Sequence, residues 1–205
     1  MNKSIAPILF RAVGANTDPS RLNQPRGTMR PPGNVPYVVD NLLEWKRPAE
    51  YPNRRFAVFA SPTAELATAC AGNDKVPHRV EFKGRFKLCQ LLRGPSFTKN
   101  EDSRYHPDCR KLKEALLRKL GQSWIDGDLA QKTAIGRLWM PCLRKDEVDS
   151  LFESVETLQH IRDEIFGGIT YWNDVVLLKE SDSLPDETGE VFFEPADGYW
   201  LRPLL

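Results

Sequence analysis

The alternation of apolar and polar positions predicts three elements near the start of the chain. Apolar residues fill positions 6–11, which predicts a first strand that ends at Arg11. Prolines and glycine punctuate positions 16–33, which indicates an irregular loop. Apolar residues at helical spacing then predict a helix over Pro36–Trp45, with Asn34 as its cap.

The next stretch alternates as strands do and is broken by one short helix. Residues Arg55–Ala60 are predicted to form a strand. Residues Ala64–Ala71 are predicted to form a helix that Gly72-Asn73 closes. The run His78–Leu92 alternates in part and breaks near Gly84, which predicts one strand with a bulge or a hairpin.

A long helical signal follows. Leucines recur every four residues over Leu112–Leu120, and a longer apolar stripe runs over Val148–Ile165. Residues from Cys109 to about Phe166 are therefore predicted to be helical. Asp146 and Asp149 are predicted to cap the second stripe and to supply favourable charge in its first turn.

Two closing strands complete the pattern. Gly167-Gly168 ends the helical signal, and strands are predicted over Ile169–Leu178 and Glu190–Leu201, the second interrupted at 195–198. Strands at both ends with helices between them predict an α+β fold. A length of 205 residues favours a single domain.

Composition narrows the function classes. Lys and Arg total 29 against 28 for Asp and Glu, so no global charge favours a nucleic acid or a membrane surface. The N-terminus lacks the long apolar core of a secretory signal, and no run approaches the roughly 20 apolar residues that span a bilayer. These features predict a cytoplasmic protein that does not bind membranes.

The four cysteines are widely spaced, which favours reduced, mostly buried thiols over a disulfide scaffold or a zinc ribbon. His106 and Cys109 could join Cys142 at a metal, but structural zinc normally takes four ligands, so no metal site is predicted.

Candidate chemistry lies where the predicted strands begin and end. Arg11 could bind a pyrophosphate, because a guanidinium offers several donors in a rigid fork. Glu190 could stabilise the oxocarbenium-like charge that develops when an N-glycosidic bond breaks. Ser61 and Thr63 could hold these two groups in register.

Each of these residues also has an ordinary structural explanation. Arg11 could be a solvated or ion-paired side chain at a strand end. Ser61 and Thr63, with a proline between them, make a good helix start. Glu190 could open an edge strand, and Glu194, on the same face two alternations later, is the fallback acid.

The ordered trio of arginine, hydroxyls and glutamate resembles the mono-ADP-ribosyltransferase toxins, the group that cholera and pertussis toxins typify. In that group an arginine ends the first strand, a Ser-Thr-Ser-like element follows an aromatic-rich strand, and the catalytic glutamate opens a later strand. The matching blocks here are Leu9-Phe10-Arg11, then Val58–Thr63 with Pro62 in place of the middle threonine, then Glu190–Tyr199.

The resemblance implies an ADP-ribosyltransferase-like split antiparallel β core in one domain over 1–205, with a mainly helical insertion at about 98–166. It implies NAD as the substrate. The catalytic residues that it implies are Glu190, Arg11 and Ser61. The NAD-binding residues that it implies are Arg11, Ser61, Thr63, Phe59 and Tyr37. The rings of Tyr37, Trp45, Phe59 and Tyr199 could stack on nicotinamide or adenine, but aromatic residues mostly fill cores.

The implied activity is transfer of ADP-ribose from NAD to a macromolecular acceptor, protein or nucleic acid, by a toxin, effector or defence protein. An antitoxin or immunity partner would be expected for such an activity. Members that modify arginine carry a second Glu or Gln two residues before the catalytic glutamate. That position is Thr188 here, which disfavours arginine as the acceptor.

Two basic segments bear on the acceptor. Arg110–Lys119 holds five basic residues in ten, and Arg21, Arg26 and Arg30 crowd the proline-rich loop. Two such patches beside one cleft would favour a nucleic acid.

Two alternatives stay open. An NAD glycohydrolase, in which water replaces the acceptor, needs the same residues. A non-catalytic binding module does not need Arg11, Ser61 and Glu190 to line one cleft, whereas catalysis does.

Overall fold

The computed structural model describes residues 7–31, 33, 35–72, 74–92, 106–121 and 135–204. These residues form a mixed α+β structure, which confirms the predicted class. The strands are β1 (Phe10–Gly14), β2 (Val58–Ala60), β3 (Lys75–Phe82), β4 (Phe86–Leu91), β5 (Val175–Leu178), β6 (Val191–Pro195) and β7 (Tyr199–Pro203). The helices are α1 (Tyr37–Lys46), α2 (Ala64–Ala71), α3 (Pro107–Leu120), α4 (Lys145–Ser154), α5 (Glu156–Gln159) and α6 (Arg162–Gly168), with 3₁₀ turns at Ile135–Trp139 and Tyr171–Asn173.

The strands build two antiparallel sheets. One has the order β1-β3-β7 and the other the order β2-β6-β4-β5. The backbones of the two sheets are joined where Phe10 and Ser61 exchange two hydrogen bonds of 2.9 and 2.8 Å. This point, here called the sheet junction, joins the start of β1 to the end of β2.

Side chains of the four-stranded sheet alternate between two cores, as the pleat of a strand requires. On β6, Phe192 belongs to a helical core shared with α1, α3 and α4. The next residue, Phe193, belongs to an inter-sheet core that includes Val80 and Leu201 of the other sheet. The described parts of the segment predicted as a helical insertion therefore share their core with α1 and one face of this sheet.

Several strand predictions were wrong. The predicted strands Arg55–Ala60 and Ile169–Leu178 shorten to β2 and β5, and a 3₁₀ turn over Tyr171–Asn173 precedes β5. β1 begins at Phe10, so Arg11 is its second residue and not its last, because pairing with β3 continues as far as Gly14. The run His78–Leu92 is neither one strand nor a hairpin, since β3 and β4 lie in different sheets. The chain turns between them at Gly84, where a Cβ would lie 2.5 Å from Asp197 Oδ2.

The helix ends also depart from the predictions. The second helical stripe breaks into α4, α5 and α6, and Arg144 occupies the N-cap position of α4. The amide of Arg144 donates to Glu147 Oε2 at 2.8 Å. Asp146 forms an ion pair with Arg144 at 3.4 Å, and Asp149 accepts a hydrogen bond of 2.7 Å from Trp45 Nε1. Asn34, the predicted cap of α1, lies outside the described residues.

The bounds predicted for α2 are confirmed, with Thr63 as its N-cap and Gly72 at φ 92° after its end.

The four cysteines all fall within the described ranges and form no disulfide. Only Cys89 is buried, and Cys70 is exposed, so the expectation of mostly buried thiols was wrong. No helix in the described ranges combines the length and apolar character needed to cross a membrane.

Candidate functional site

The sheet junction brings together the backbones of the three sequence blocks. Ser61 is paired with Phe10, the neighbour of Arg11. β2 pairs with β6 up to Ala60 opposite Val191, so the same register continued by one residue places Ser61 level with Glu190. Residues from distant parts of the chain therefore meet where the two sheets separate.

The side chains at this junction divide between its two faces. Strand alternation places Ser61 and Glu190 on the face of Phe192, which belongs to the helical core. It places Arg11 on the face of Leu9, which belongs to the inter-sheet core. We call the first face the carboxylate side and the second the arginine side. The three predicted catalytic residues are neighbours in the backbone, but their side chains leave from both sides of the junction.

Glu190 is held in place by its neighbours on β4. The fully buried Gln90 donates through Nε2 to the carbonyls of Asp186 and Gly189, and its Oε1 accepts from the Asp186 amide at 3.2 Å. The amide of Leu91 donates to the Glu190 carbonyl at 2.9 Å. A Cβ on Gly189 would lie 2.0 Å from the Leu91 carbonyl oxygen, so only glycine fits there.

The turn before Glu190 is closed by a side chain. Asp186 Oδ1 accepts hydrogen bonds from the Thr188 amide at 2.8 Å, the Thr188 hydroxyl at 2.7 Å and the Gly189 amide at 3.3 Å. An aspartate that binds amides ahead of it is a common way to stabilise a turn. Thr188 is thus a structural residue of this turn.

Arg54 is a site residue that the sequence analysis missed. It is 7% exposed, and its guanidinium carbon lies 5.0 Å from the ring centre of Tyr171 and 5.7 Å from that of Phe59. Burial acts to lower the pKa of Arg54, but attraction to Tyr171 and Glu190 raises it above its usual value. No sequence signal marked Arg54, because Arg54 and Arg55 are both buried and both lie in the turn before β2 rather than on the strand.

The arginine side carries a cluster of three guanidinium groups. Burial lowers the pKa of Arg26, and so does repulsion from Arg30 and Arg11. Within the described part of the chain, none of the three side chains forms a hydrogen bond or an ion pair. Cations held together without a counter-ion are suited to binding an anion.

The proline-rich loop delivers two of these arginines. Asn23 pairs with Tyr199 of β7, with backbone hydrogen bonds of 2.8 and 3.0 Å. Further along, the amide of Arg30 donates to the Arg55 carbonyl at 3.0 Å. The loop therefore runs from the edge of β7 to the turn that carries Arg54, and it passes the arginine side of the junction.

Several other predicted site residues have structural contacts. Thr63 Oγ1 caps α2 by accepting from the Leu66 amide at 3.2 Å. The fallback acid Glu194 accepts from the Asn53 amide at 3.0 Å, four residues along the strand from Glu190. It therefore stabilises the turn before β2.

The candidate aromatic residues differ in exposure. Phe59 lies on the carboxylate side, 6.0 Å from Phe192 between ring centres. Tyr37, the first residue of α1, is 42% exposed. Trp45 is buried and stacks on Phe152 at 4.5 Å, and the buried Tyr199 belongs to the inter-sheet core.

His106 is committed to structure. Its Nε2 lies 3.0 Å from Asp174 Oδ2, and its Nδ1 accepts from the Asp108 amide at 3.1 Å. The described ranges contain no group of three His, Cys, Asp or Glu side chains that could hold a metal.

No model of a known protein family, no curated protein and no solved structure matches the chain.

Proposed function

We propose that this protein is an NAD-dependent ADP-ribosyltransferase that acts on a macromolecule. The observation that carries the proposal is the meeting of three distant blocks at the sheet junction. There Ser61 pairs with Phe10, beside Arg11, and is level with Glu190. A split between two antiparallel sheets, with these residue types at the split, supports the fold and the activity that the sequence resemblance implies.

The carboxylate side would act on the nicotinamide ribose. The bond between the ribose carbon and the nicotinamide nitrogen breaks, and its electron pair leaves with nicotinamide. Glu190 stabilises the positive charge left on the ribose. A lone pair of the acceptor then forms the new bond at that carbon, and the acceptor gives up a proton to solvent.

The arginine side would hold the pyrophosphate. Arg11, Arg26 and Arg30 together offer many donors to phosphate oxygens, and a bound anion would relieve the repulsion that lowers the pKa of Arg26. Arg11 and Glu190 leave from opposite faces of the junction, so the proposal requires one dinucleotide to reach both sides around it. If no ligand does so, these opposite faces favour the alternative of a non-catalytic binding module.

The acceptor is a macromolecule of either class. On the basic helix α3, Arg110 forms an ion pair with Glu114 at 3.7 Å, and Lys119 forms one with Glu164 at 2.7 Å. Because acidic neighbours offset part of this charge, the helix is weak support for a nucleic acid.

The test follows label from adenine-labelled NAD into a cell extract, with the product treated by protease or by nuclease. Glu190→Gln should reduce incorporation about 100-fold or more, because a group that stabilises the transition state is lost. The matched control is Glu187→Gln, an exposed acid in the same turn, which should leave incorporation unchanged. Digestion of the product identifies the acceptor as protein or nucleic acid.

Other outcomes separate the alternatives. Loss of NAD without labelled product would indicate a glycohydrolase. Equal loss of label in Glu194→Gln and Glu190→Gln would contradict the assignment of Glu190. Neither label nor loss of NAD would favour a binding module.

A further inference from the structure

A single cross-strand row connects Glu190 with the last strand of the three-stranded sheet. Ser61 is level with Glu190 and pairs with Phe10. Phe10 pairs in turn with Arg79 of β3, and Arg79 pairs with Arg202 of β7. Side chains of directly paired residues leave from the same face of a sheet, so the carboxylate side continues across the junction onto β3 and β7. Four pairings of about 5 Å each place Arg202 about 20 Å from Glu190 along this row.

This face of the three-stranded sheet carries exposed positive charge. Arg79 and Glu81 are exposed, and Trp200 and Arg202 are partly exposed. Lys83, exposed just past the end of β3, continues the alternation, because its amide donates a hydrogen bond of 3.1 Å to the carbonyl just before β7. We call Arg79, Glu81, Lys83, Trp200 and Arg202 the basic sheet face.

The charges of the basic sheet face are only partly offset. Arg202 donates to Glu81 Oε2 at 2.7 Å and to the Pro19 carbonyl at 2.8 Å. Arg79 stands directly opposite Arg202, and like charges in this arrangement repel each other. Neither Arg79 nor Lys83 forms a side-chain hydrogen bond or an ion pair with another described residue. These two cations are therefore available to a polyanion on the carboxylate side.

An aromatic ring lies among these cations. The guanidinium carbon of Arg202 lies 5.2 Å from the ring centre of Trp200, which is partly exposed. Rings on a sheet surface stack on unpaired bases, and cations beside them contact the phosphates. A duplex keeps its bases stacked on one another, and an acidic protein segment has no bases. The combination of ring and cations therefore fits a single-stranded nucleic acid best.

We infer that the basic sheet face binds a single-stranded nucleic acid, which follows the cross-strand row toward Glu190. The inference names the class of acceptor and rests on the proposed function for the transfer step, whereas the binding is independent of it. A strand held by its phosphates at Arg79 and Lys83 and by a base on Trp200 would extend along the row to the junction. A base nitrogen or oxygen there would give its lone pair to the ribose carbon and its proton to solvent.

The direct test measures binding of a labelled, mixed-sequence, single-stranded oligonucleotide to the full chain by fluorescence anisotropy. Trp200→Ala should weaken binding about tenfold or more, because stacking on a base is lost. Trp200→Phe keeps a ring and should retain most of the affinity. Arg79→Gln should weaken binding and lower the salt slope of the affinity by about 1, because one phosphate contact is lost. The matched control is Arg110→Gln, at an exposed arginine on α3, which should bind as the wild type does.

Stability separates binding from a structural role. Because Arg79 faces the like charge of Arg202, Arg79→Gln should melt at the wild-type temperature or above it. Weaker binding by a variant of unchanged stability would then reflect the lost contact alone. Arg79→Gln decides the test if Trp200→Ala does not fold.

Four results would overturn the inference. The first is a wild-type chain that does not bind the oligonucleotide at about 100 µM, the weak limit of non-specific binding at physiological salt. The second is equal affinity in wild type and Arg79→Gln. The third is a loss only in Arg110→Gln, which would place the nucleic acid on α3. The fourth is tighter binding of a duplex of the same sequence, or of poly-glutamate, either of which would identify a different occupant.

Transfer of label connects the inference to the proposed function. Transfer from adenine-labelled NAD to the oligonucleotide should fall in Arg79→Gln as binding does, and it should be unchanged in Arg110→Gln. A chain that binds the oligonucleotide but does not consume NAD would overturn the proposed function, and the anisotropy measurements would still support the binding face. Label that enters protein alone, equally in wild type and Arg79→Gln, would overturn the inference and support the proposed function.

Discussion

Arg54 and Arg55 are adjacent in sequence and both buried, yet their surroundings differ completely. Arg55 donates to Asp40 Oδ2 at 2.8 Å, to Asn41 Oδ1 at 2.6 Å and to the Leu143 carbonyl. Arg54 lies between aromatic rings, and two of its nitrogens have no partner in the described part of the chain. The difference suggests that Arg55 holds the fold together, whereas Arg54 contributes little to stability.

The Arg55 network explains why that cation is structural. Asn41 donates through Nδ2 to the carbonyls of Leu138 and Met140, each at 2.8 Å, and its Oδ1 also accepts from the Leu143 amide at 3.0 Å. Together with Asp40, these bonds join α1 to the segment that precedes α4. Every contact satisfies a polar group that would otherwise be buried alone.

The largest effect is therefore expected for Arg55→Met. Removing this side chain leaves the carboxylate of Asp40 buried and uncompensated, which costs about 3–5 kcal/mol when one partner of a buried ion pair is lost. The free energy of unfolding in urea measures this loss. Arg110→Met, at an exposed arginine 3.7 Å from Glu114, is the control and should cost at most about 1 kcal/mol.

Arg54→Met measured in the same way completes the comparison. Similar losses of stability in the two methionine variants would break the distinction between the two arginines, and Arg54 would then be structural.

A second test moves the carboxylate and leaves both arginines in place. Gly189→Ala introduces a Cβ at 2.0 Å from the Leu91 carbonyl, so the turn before Glu190 must shift. Overpacking of this kind typically costs about 1–3 kcal/mol, and displacement of Glu190 should lower NAD turnover more than stability. Urea unfolding and turnover of NAD are measured on the same preparation.

The control for this test is Gly167→Ala, where an added Cβ meets no atom within 4 Å. It should leave turnover unchanged. Wild-type turnover in Gly189→Ala would show that the position of Glu190 does not matter for activity.

Local chemistry explains what the sequence could predict. The bounds of α2 follow from Thr63 and Gly72, which satisfy its first amides and permit its last turn. Alternation identified β3 and β4 as extended, but it contains no information about which sheet a strand joins. The corner at Gly84 separates them because Asp197, more than a hundred residues later, packs against it.

The candidate site shows the same limit. The order of the blocks pointed to Arg11, Ser61 and Glu190, whose backbones do meet at the sheet junction. The opposite faces taken by Arg11 and Glu190 depend on the register of two sheets. Arg54 could not be recognised, because its burial is decided by Tyr171, which is remote in sequence.

The smallest effect on stability is expected at Arg26, a partly buried cation of the arginine side. If a cation without an ion-pair partner among the described residues serves ligand binding, Arg26→Met should change the free energy of unfolding by no more than about 0.5 kcal/mol. It should weaken binding of ADP-ribose about tenfold, or about 1.4 kcal/mol, because charge-assisted hydrogen bonds to phosphate are lost. Calorimetric titration with ADP-ribose measures this, with Arg21→Met as the control from the same loop. Equal affinity in wild type and Arg26→Met would assign the cluster no part in binding the pyrophosphate, whereas a selective loss would show that the arginine side binds the ligand.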